Sequence, residues 1–170
     1  LANLRVTRRR AVRTPYGRPS AALVLGTLRG RKVVFLQRHG PGHTIAPHEV
    51  NYRANIWALH AQKAKNVVAI AAVGGIRADL GPGTFAVPDQ IIDYTHGRAS
   101  TYYTRGRGPV THIDFTRPYC EAMRQRLLRI DRDRIDHHAG LVALDLAHLG
   151  GLRRGLEIAV DHADAAGLGH

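Results

Sequence analysis

The sequence predicts an α/β fold, a mixed or mainly parallel β-sheet flanked by helices. Three observations predict it. Two short apolar runs, Ala21 to Leu28 and Lys32 to Gln37, lead into a break at Gly40-Pro41-Gly42. A helix-forming stretch, Val50 to Leu59, follows the break. An uninterrupted apolar run, Val67 to Val73, then stops at Gly74-Gly75. A short apolar run bounded by turn signals reads as a strand buried on both faces. Strand, loop, helix and strand in succession describe an open α/β sheet, and ligands bind such sheets at the strand ends.

Each element follows in order. Arg29-Gly30-Arg31 joins the first two runs and is a hairpin signal. The second run delivers Arg38 and His39 at its end. Pro47 to Glu49 opens the helix, with Val50, Ile56, Trp57 and Leu59 as its core residues. Asn51 and Asn55 are four apart and share a helix face. Two amides so placed are expected to tie the helix to a loop, not to catalyse. Residues 61–66 connect to the Val67 to Val73 strand, expected at the sheet centre.

Beyond it, Gly81-Pro82-Gly83 is a turn, and Phe85 to Val87 and Gln90 to Ile92 read as short strands around Pro88. Asp93 to Arg117 is polar, glycine-rich and without period, and carries Tyr94, Tyr102, Tyr103 and His112. Loops of that length in a compact domain are usually functional or mobile. Tyr119 to Ile130 is a helix with Pro118 at its start.

Residues 131–170 differ in character and read as a helical tail beyond a boundary near Ile130. Leu141 to Leu149 and Leu152 to Ala166 are its helical stretches, split by Gly150-Gly151. The tail holds five of the eleven histidines and no lysine. Asp136-His137-His138 and Asp161-His162 offer metal-ligand types, but their spacing fits no zinc pattern, so no metal is expected.

Composition narrows the function classes. A hydrophobic content of 44% over 170 residues suits one domain with one core and excludes a disordered chain. No signal peptide is read, and the Val67 to Val73 run is too short to span a bilayer. The single cysteine, Cys120, excludes an internal disulfide and fits a reducing compartment; a cytoplasmic location is expected. Cys120 reads as a small packed hydrophobe.

The net charge of +12 and pI near 11.0 raise nucleic acid as a partner. Twenty-two of the twenty-five basic residues are arginine, and only Arg5, Arg8-Arg9-Arg10 and Arg13 form a dense run. No zinc finger, helix-turn-helix or RNA-binding aromatic signature accompanies them. A solvated basic edge is therefore preferred to a nucleic-acid site.

The chemistry concentrates in Arg38-His39-Gly40 and His43-Thr44. A guanidinium is a planar fork of donors suited to phosphate or carboxylate. Paired glycines, as at Gly74-Gly75, let backbone N–H groups approach an anion closely. Bland alternatives stand beside each: a strand-end salt bridge for Arg38, a backbone-bonded histidine for His39, an exposed loop histidine for His112.

These segments resemble the purine nucleoside phosphorylase family, in its methylthioadenosine and methylthioinosine phosphorylase branch. The resemblance rests on Thr14-Pro15-Tyr16-Gly17-Arg18-Pro19-Ser20, Arg38-His39-Gly40, His43-Thr44, Val50 to Leu59 and Gly74-Gly75-Ile76. Asp89-Gln90-Ile91-Ile92-Asp93-Tyr94-Thr95 and Val110-Thr111-His112-Ile113-Asp114-Phe115 continue it, and residues 1–130 are covered.

The resemblance implies a nucleoside phosphorylase-like fold and phosphorolysis of a 5′-methylthio-ribosyl purine. Inorganic phosphate is the co-substrate, no cofactor is needed, and a homotrimer is implied. It places Arg38, His39, Ala71 and Ala72 at phosphate, the two alanines through backbone N–H. It places His43 near the phosphate-ribose side and His112 at a neighbouring subunit's 5′-substituent pocket.

Several family segments have no counterpart here. They are a Gly-Gly-Thr-Gly phosphate loop before Leu1, and Thr-Gln-Gly-Pro, Met-Thr-Gly-Met-Pro-Glu and purine-reading segments after Ile130. The domain is therefore expected to be partial, about half of a site. No residue is assigned as the acid that activates the purine. A second reading is a catalytically silent member of the fold.

Overall fold

The computed structural model describes residues 3–82, 84–104 and 110–132, with side chains described through Arg129. Its sheet has three strands in the order β1 (Leu4–Arg10), β2 (Leu23–Leu28) and β3 (Arg31–Phe35). Both pairings are antiparallel. The β2–β3 hairpin falls where the sequence places it. Leu28 pairs with Arg31, which leaves a two-residue loop of Arg29 and Gly30. Both loop residues have positive φ, 48° and 79°, as expected of a turn whose twist matches that of the strands.

β1 was not anticipated. It carries the basic run as an exposed strand, so the solvated basic edge is the observed state of Arg5, Arg8, Arg9 and Arg10. Pairing skips Thr7, which forms a bulge between Val6 and Arg8. The Thr7 hydroxyl donates to the Leu25 carbonyl at 2.9 Å and satisfies the acceptor beside the bulge. A bulge and a row of charges are both devices that blunt a sheet edge.

Helix α1 (Tyr52–Ala61) starts later than Pro47. Asn51 caps it by accepting from the Ala54 N–H at 3.0 Å. The core joins Leu23, Val34 and Leu36 of the sheet region to Ala58, Leu59 and Val67. Val50 and Leu59 are buried as expected, whereas Ile56 and Trp57 are half-buried, and Ala54 and Ala58 pack closest. Small residues on that face let helix and sheet approach.

The expected strand directions and the central strand at Val67 to Val73 are corrected. The sheet is antiparallel throughout the described residues. Val67 is buried, but Val68 and Ala69 form only isolated bridges, and Val73 is 64% exposed. An apolar run becomes a central strand only where both backbone edges find partners, and beyond Ala69 no ladder forms among the described residues. Phe85 to Val87 and Gln90 to Ile92 likewise stay outside any ladder.

The second helix, α2 (Glu121–Arg132), starts two residues after the expected Tyr119 and continues through Ile130. The expected tail helices and the Asp136, His137, His138 and Asp161-His162 groups lie outside the described residues.

Candidate functional site

The loop after β3 is a compact turn built on backbone hydrogen bonds. The Gly40 N–H donates to the Gln37 carbonyl at 3.0 Å, His43 to Gly40 at 3.2 Å, and Ile45 to His39 at 2.9 Å. Gly40 has a φ of 75° and is buried. A Cβ there would lie 3.0 Å from Ile45 Cδ1, so both conformation and space select glycine.

This turn brings Arg38, His39 and His43 together. His39 Nδ1 lies 2.8 Å from the Ile45 carbonyl oxygen. A carbonyl only accepts, so Nδ1 carries the proton, and Nε2 of the neutral ring is an acceptor. The Arg38 Nε–H donates to that Nε2 at 3.1 Å. The His43 ring stacks obliquely on His39, with centroids 4.6 Å apart. The chain Arg38, His39, Ile45 carbonyl therefore fixes both the ring tautomer and the guanidinium plane.

His39 braces Arg38 through Nε2. Its backbone-bonded alternative holds at the same time, through the other ring nitrogen. The salt-bridge alternative for Arg38 does not hold: among the described residues no carboxylate pairs with it, and neither terminal nitrogen has a partner. A half-buried fork anchored through Nε presents its two outer nitrogens in a fixed plane, suited to bidentate binding of an oxyanion.

The remaining candidates are not joined to this loop by any hydrogen bond among the described residues. Ala71 is half-buried and Ala72 exposed, outside regular structure after α1. Gly75 leaves room for the chain itself, since a Cβ there would lie 2.5 Å from the Leu80 carbonyl oxygen. His112 is exposed, outside regular structure.

A second cluster organises the long loop on α1. Asn51 Nδ2 donates to the Tyr16 carbonyl at 2.7 Å. Asn55 is buried and bonds Ser20 twice, accepting from its N–H at 2.8 Å and donating to its hydroxyl at 2.9 Å. The two amides thus tie the Thr14 to Ser20 segment to the helix, as expected. On the same side, the Tyr102 hydroxyl donates to the Arg53 carbonyl at 2.7 Å and its ring meets Tyr16 edge-on at 4.9 Å. The Arg53 guanidinium covers Tyr16 at 5.2 Å, and that of Arg98 covers Tyr52 at 4.9 Å.

Burial, with the neighbouring Tyr16 second, pushes the Tyr102 phenol above its ordinary 10.0. Asp93 is a loop brace, accepting from the Thr95 hydroxyl at 2.6 Å and N–H at 2.8 Å. Those bonds lower its pKa below the ordinary 3.8. Sequence reasoning did not find Arg53 and Arg98. The signal was present as cations on α1 and the loop beside a tyrosine-rich stretch. No group of three metal-ligating side chains converges among the described residues.

Residues 2–146 match the family model described as the Phosphorylase superfamily, which extends past the Ile130 limit of the residue-level resemblance. A probable S-methyl-5'-thioinosine phosphorylase of Pseudomonas syringae pv. tomato is 48% identical over 128 residues, 75% of this chain and 52% of that protein. The S-methyl-5'-thioadenosine phosphorylase of Hyperthermus butylicus is 48% identical over 120 residues, 71% of this chain and 43% of that protein. Among solved structures, the methylthioadenosine phosphorylase of Schistosoma mansoni in complex with adenine aligns with a TM-score of 0.69 and 35% identity. That alignment covers 79% of this chain and 50% of that one. The nucleoside phosphorylase-like fold class is borne out by this likeness. The chain spans about half the length of the relatives it matches.

Proposed function

The chain belongs to the phosphorylase superfamily, and on that premise we propose that it is part of a purine nucleoside phosphorylase acting on S-methyl-5'-thioinosine or 5'-methylthioadenosine. In this reading a phosphate oxygen bonds to C1′ of the ribose while the bond from C1′ to the purine nitrogen breaks. The products are the free purine, which takes up a proton, and 5-methylthioribose 1-phosphate. The transition state is oxocarbenium-like, so the protein's task is to hold a dianion beneath the sugar and orient both reactants.

The observation that carries the reading is the guanidinium of Arg38, oriented by His39 and without a carboxylate partner among the described residues. Arg38 and His39 are assigned to phosphate, with backbone N–H groups of Ala71 and Ala72 beside it. His43 and His112 are assigned to the nucleoside. Inorganic phosphate is the co-substrate, and no other cofactor is invoked. A trimer and a cytoplasmic location belong to the same proposal. Among the described residues no helix is long and apolar enough to cross a membrane.

The test is calorimetric titration of the purified chain with inorganic phosphate and with S-methyl-5'-thioinosine. The reading requires saturable phosphate binding and tighter nucleoside binding when phosphate is present. Absence of both contradicts it. The chain covers 52% of the first relative, and a catalytically silent member of the fold is the second reading. Turnover by these residues alone is therefore not part of the proposal.

A further inference from the structure

The loop that holds His39 is itself held from outside. Residues 46–49 close on themselves. The Glu49 N–H donates to the Ala46 carbonyl at 2.9 Å, and the Ala46 N–H donates to Glu49 Oε2 at 3.2 Å. This turn follows Ile45 directly, and the Ile45 carbonyl is the acceptor for His39 Nδ1. From the other side, the Tyr52 hydroxyl donates to the Pro47 carbonyl at 3.1 Å. Tyr52 opens α1, so that bond ties the turn to the helix.

The direction of the bond is set by Arg98, 46 residues further along the chain. Its Nη1 donates to the Tyr52 hydroxyl at 3.2 Å, and its guanidinium carbon stands over the Tyr52 ring at 4.9 Å. A guanidinium only donates, so the hydroxyl accepts there and commits its one proton to Pro47. Arg98 is fixed in turn. Its Nε donates to Thr95 Oγ1 at 3.1 Å, and the Thr95 hydroxyl donates to Asp93 Oδ1 at 2.6 Å. Hydrogen bonds thus run without a break from Asp93 in the long loop to the Pro47 carbonyl, and bonds so chained reinforce one another.

We propose that Tyr52, oriented by Arg98, is a positioning residue for the Arg38 guanidinium. With Tyr52 bonded to Pro47, the 46–49 turn has one place, and the Ile45 carbonyl stays where His39 Nδ1 reaches it. His39 Nε2 then faces the Arg38 Nε–H. Without the bond the turn loses its tie to α1, and the carbonyl, the imidazole and the guanidinium loosen together. The bearing of this relay on phosphate rests on the proposed function; its bearing on the geometry of Arg38 does not.

The test is heteronuclear NMR of the isotope-labelled 170-residue chain, reading exchange of the Arg38 Nε–H with water at low temperature, with phosphate titration of the same samples. Tyr52→Phe keeps the ring beneath Arg98 and removes only the hydroxyl. Exchange should accelerate about three- to tenfold, the worth of one ordinary hydrogen bond, and phosphate affinity should fall over the same range. Tyr102→Phe removes the same atom from the neighbouring cluster, where the hydroxyl bonds the Arg53 carbonyl. It should leave Arg38 exchange unchanged while lowering stability. Arg98→Ala should also accelerate exchange, and Arg98→Lys, which restores a donor to the Tyr52 hydroxyl, should do so less. Unchanged exchange in Tyr52→Phe and Arg98→Ala overturns the proposal. So does equal acceleration in Tyr102→Phe, which would mark a general loosening. Accelerated exchange confined to the Tyr52 and Arg98 variants, in a chain that binds no phosphate, upholds the positioning and overturns the phosphate reading instead.

Discussion

Arg38 Nε donates to His39 Nε2 at 3.1 Å, while the opposite nitrogen of the same ring meets the Ile45 carbonyl at 2.8 Å. The imidazole is thus a strut between a cation and the backbone of its own loop. Replacing His39→Ala leaves the charge of Arg38 intact but frees its plane. Phosphate affinity should fall by up to about tenfold, the worth of one ordinary hydrogen bond. Phosphate titration of the variant checks this, and an unchanged affinity would show that the strut does not position the guanidinium.

Gly40 is the loop's conformational anchor, with φ of 75° and Ile45 Cδ1 3.0 Å from where a Cβ would stand. Gly40→Ala should destabilise the chain by about 1–2 kcal/mol. Urea unfolding measures it. The same variant should weaken phosphate binding, because Ile45 also carries the acceptor for His39.

Asn55 is the one buried polar side chain among the described residues, and both its amide atoms are engaged by Ser20. Asn55→Ala strands the Ser20 N–H, and a loss of about 1–3 kcal/mol is expected. Asn51→Ala removes a helix cap and should cost about 1 kcal/mol. Equal effects of the two in thermal unfolding would contradict the difference in burial.

Tyr102 gives a pH dependence with a definite sign. Its phenol is neutral when it donates to the Arg53 carbonyl, and its pKa in the folded chain lies above the ordinary 10.0. Its contribution is fully present below the unfolded value and is lost as pH rises through the folded one. Tyr102→Phe should therefore lower stability at neutral pH and flatten the alkaline loss. A parallel decline in both proteins above pH 10 would place the alkaline effect elsewhere.

What could be read from residues alone divides along local and non-local lines. The Arg29-Gly30 hairpin, the Asn51 and Asn55 braces and the turn at Gly40 are set by short-range chemistry, and each is found where the sequence puts it. Val67 to Val73 failed as a central strand because strand formation is a property of neighbours, and the run's own composition does not name them. β1 was missed because a run of arginines hides the Leu4 and Val6 alternation that marks a strand. Arg38 and His39 were legible as a pair, but the direction of their bond required the Ile45 carbonyl, seven residues beyond Arg38. The clamp of Arg53 and Arg98 on Tyr16 and Tyr52 joins parts of the chain 37 to 46 residues apart, and no local pattern records it.

The 170-residue polypeptide by itself should release no free purine from S-methyl-5'-thioinosine or 5'-methylthioadenosine in a phosphate-dependent assay. In the proposed reading its described residues supply the phosphate-side loop, and none of them is assigned to take up charge on the purine. Loss of a single preorganised donor commonly costs about 3–4 kcal/mol of barrier. Measurable turnover by purified chain of verified mass would mean that other residues supply those roles.

The most direct measurement is phosphate titration of the wild-type chain and Arg38→Lys, followed by calorimetry at low salt. Lysine keeps the charge and loses the planar fork and the Nε–H that bonds His39. Saturable binding by the wild type, weakened about tenfold or more in Arg38→Lys, is the predicted result. Equal affinity in the two proteins, or no binding by either, would contradict a phosphate site at Arg38.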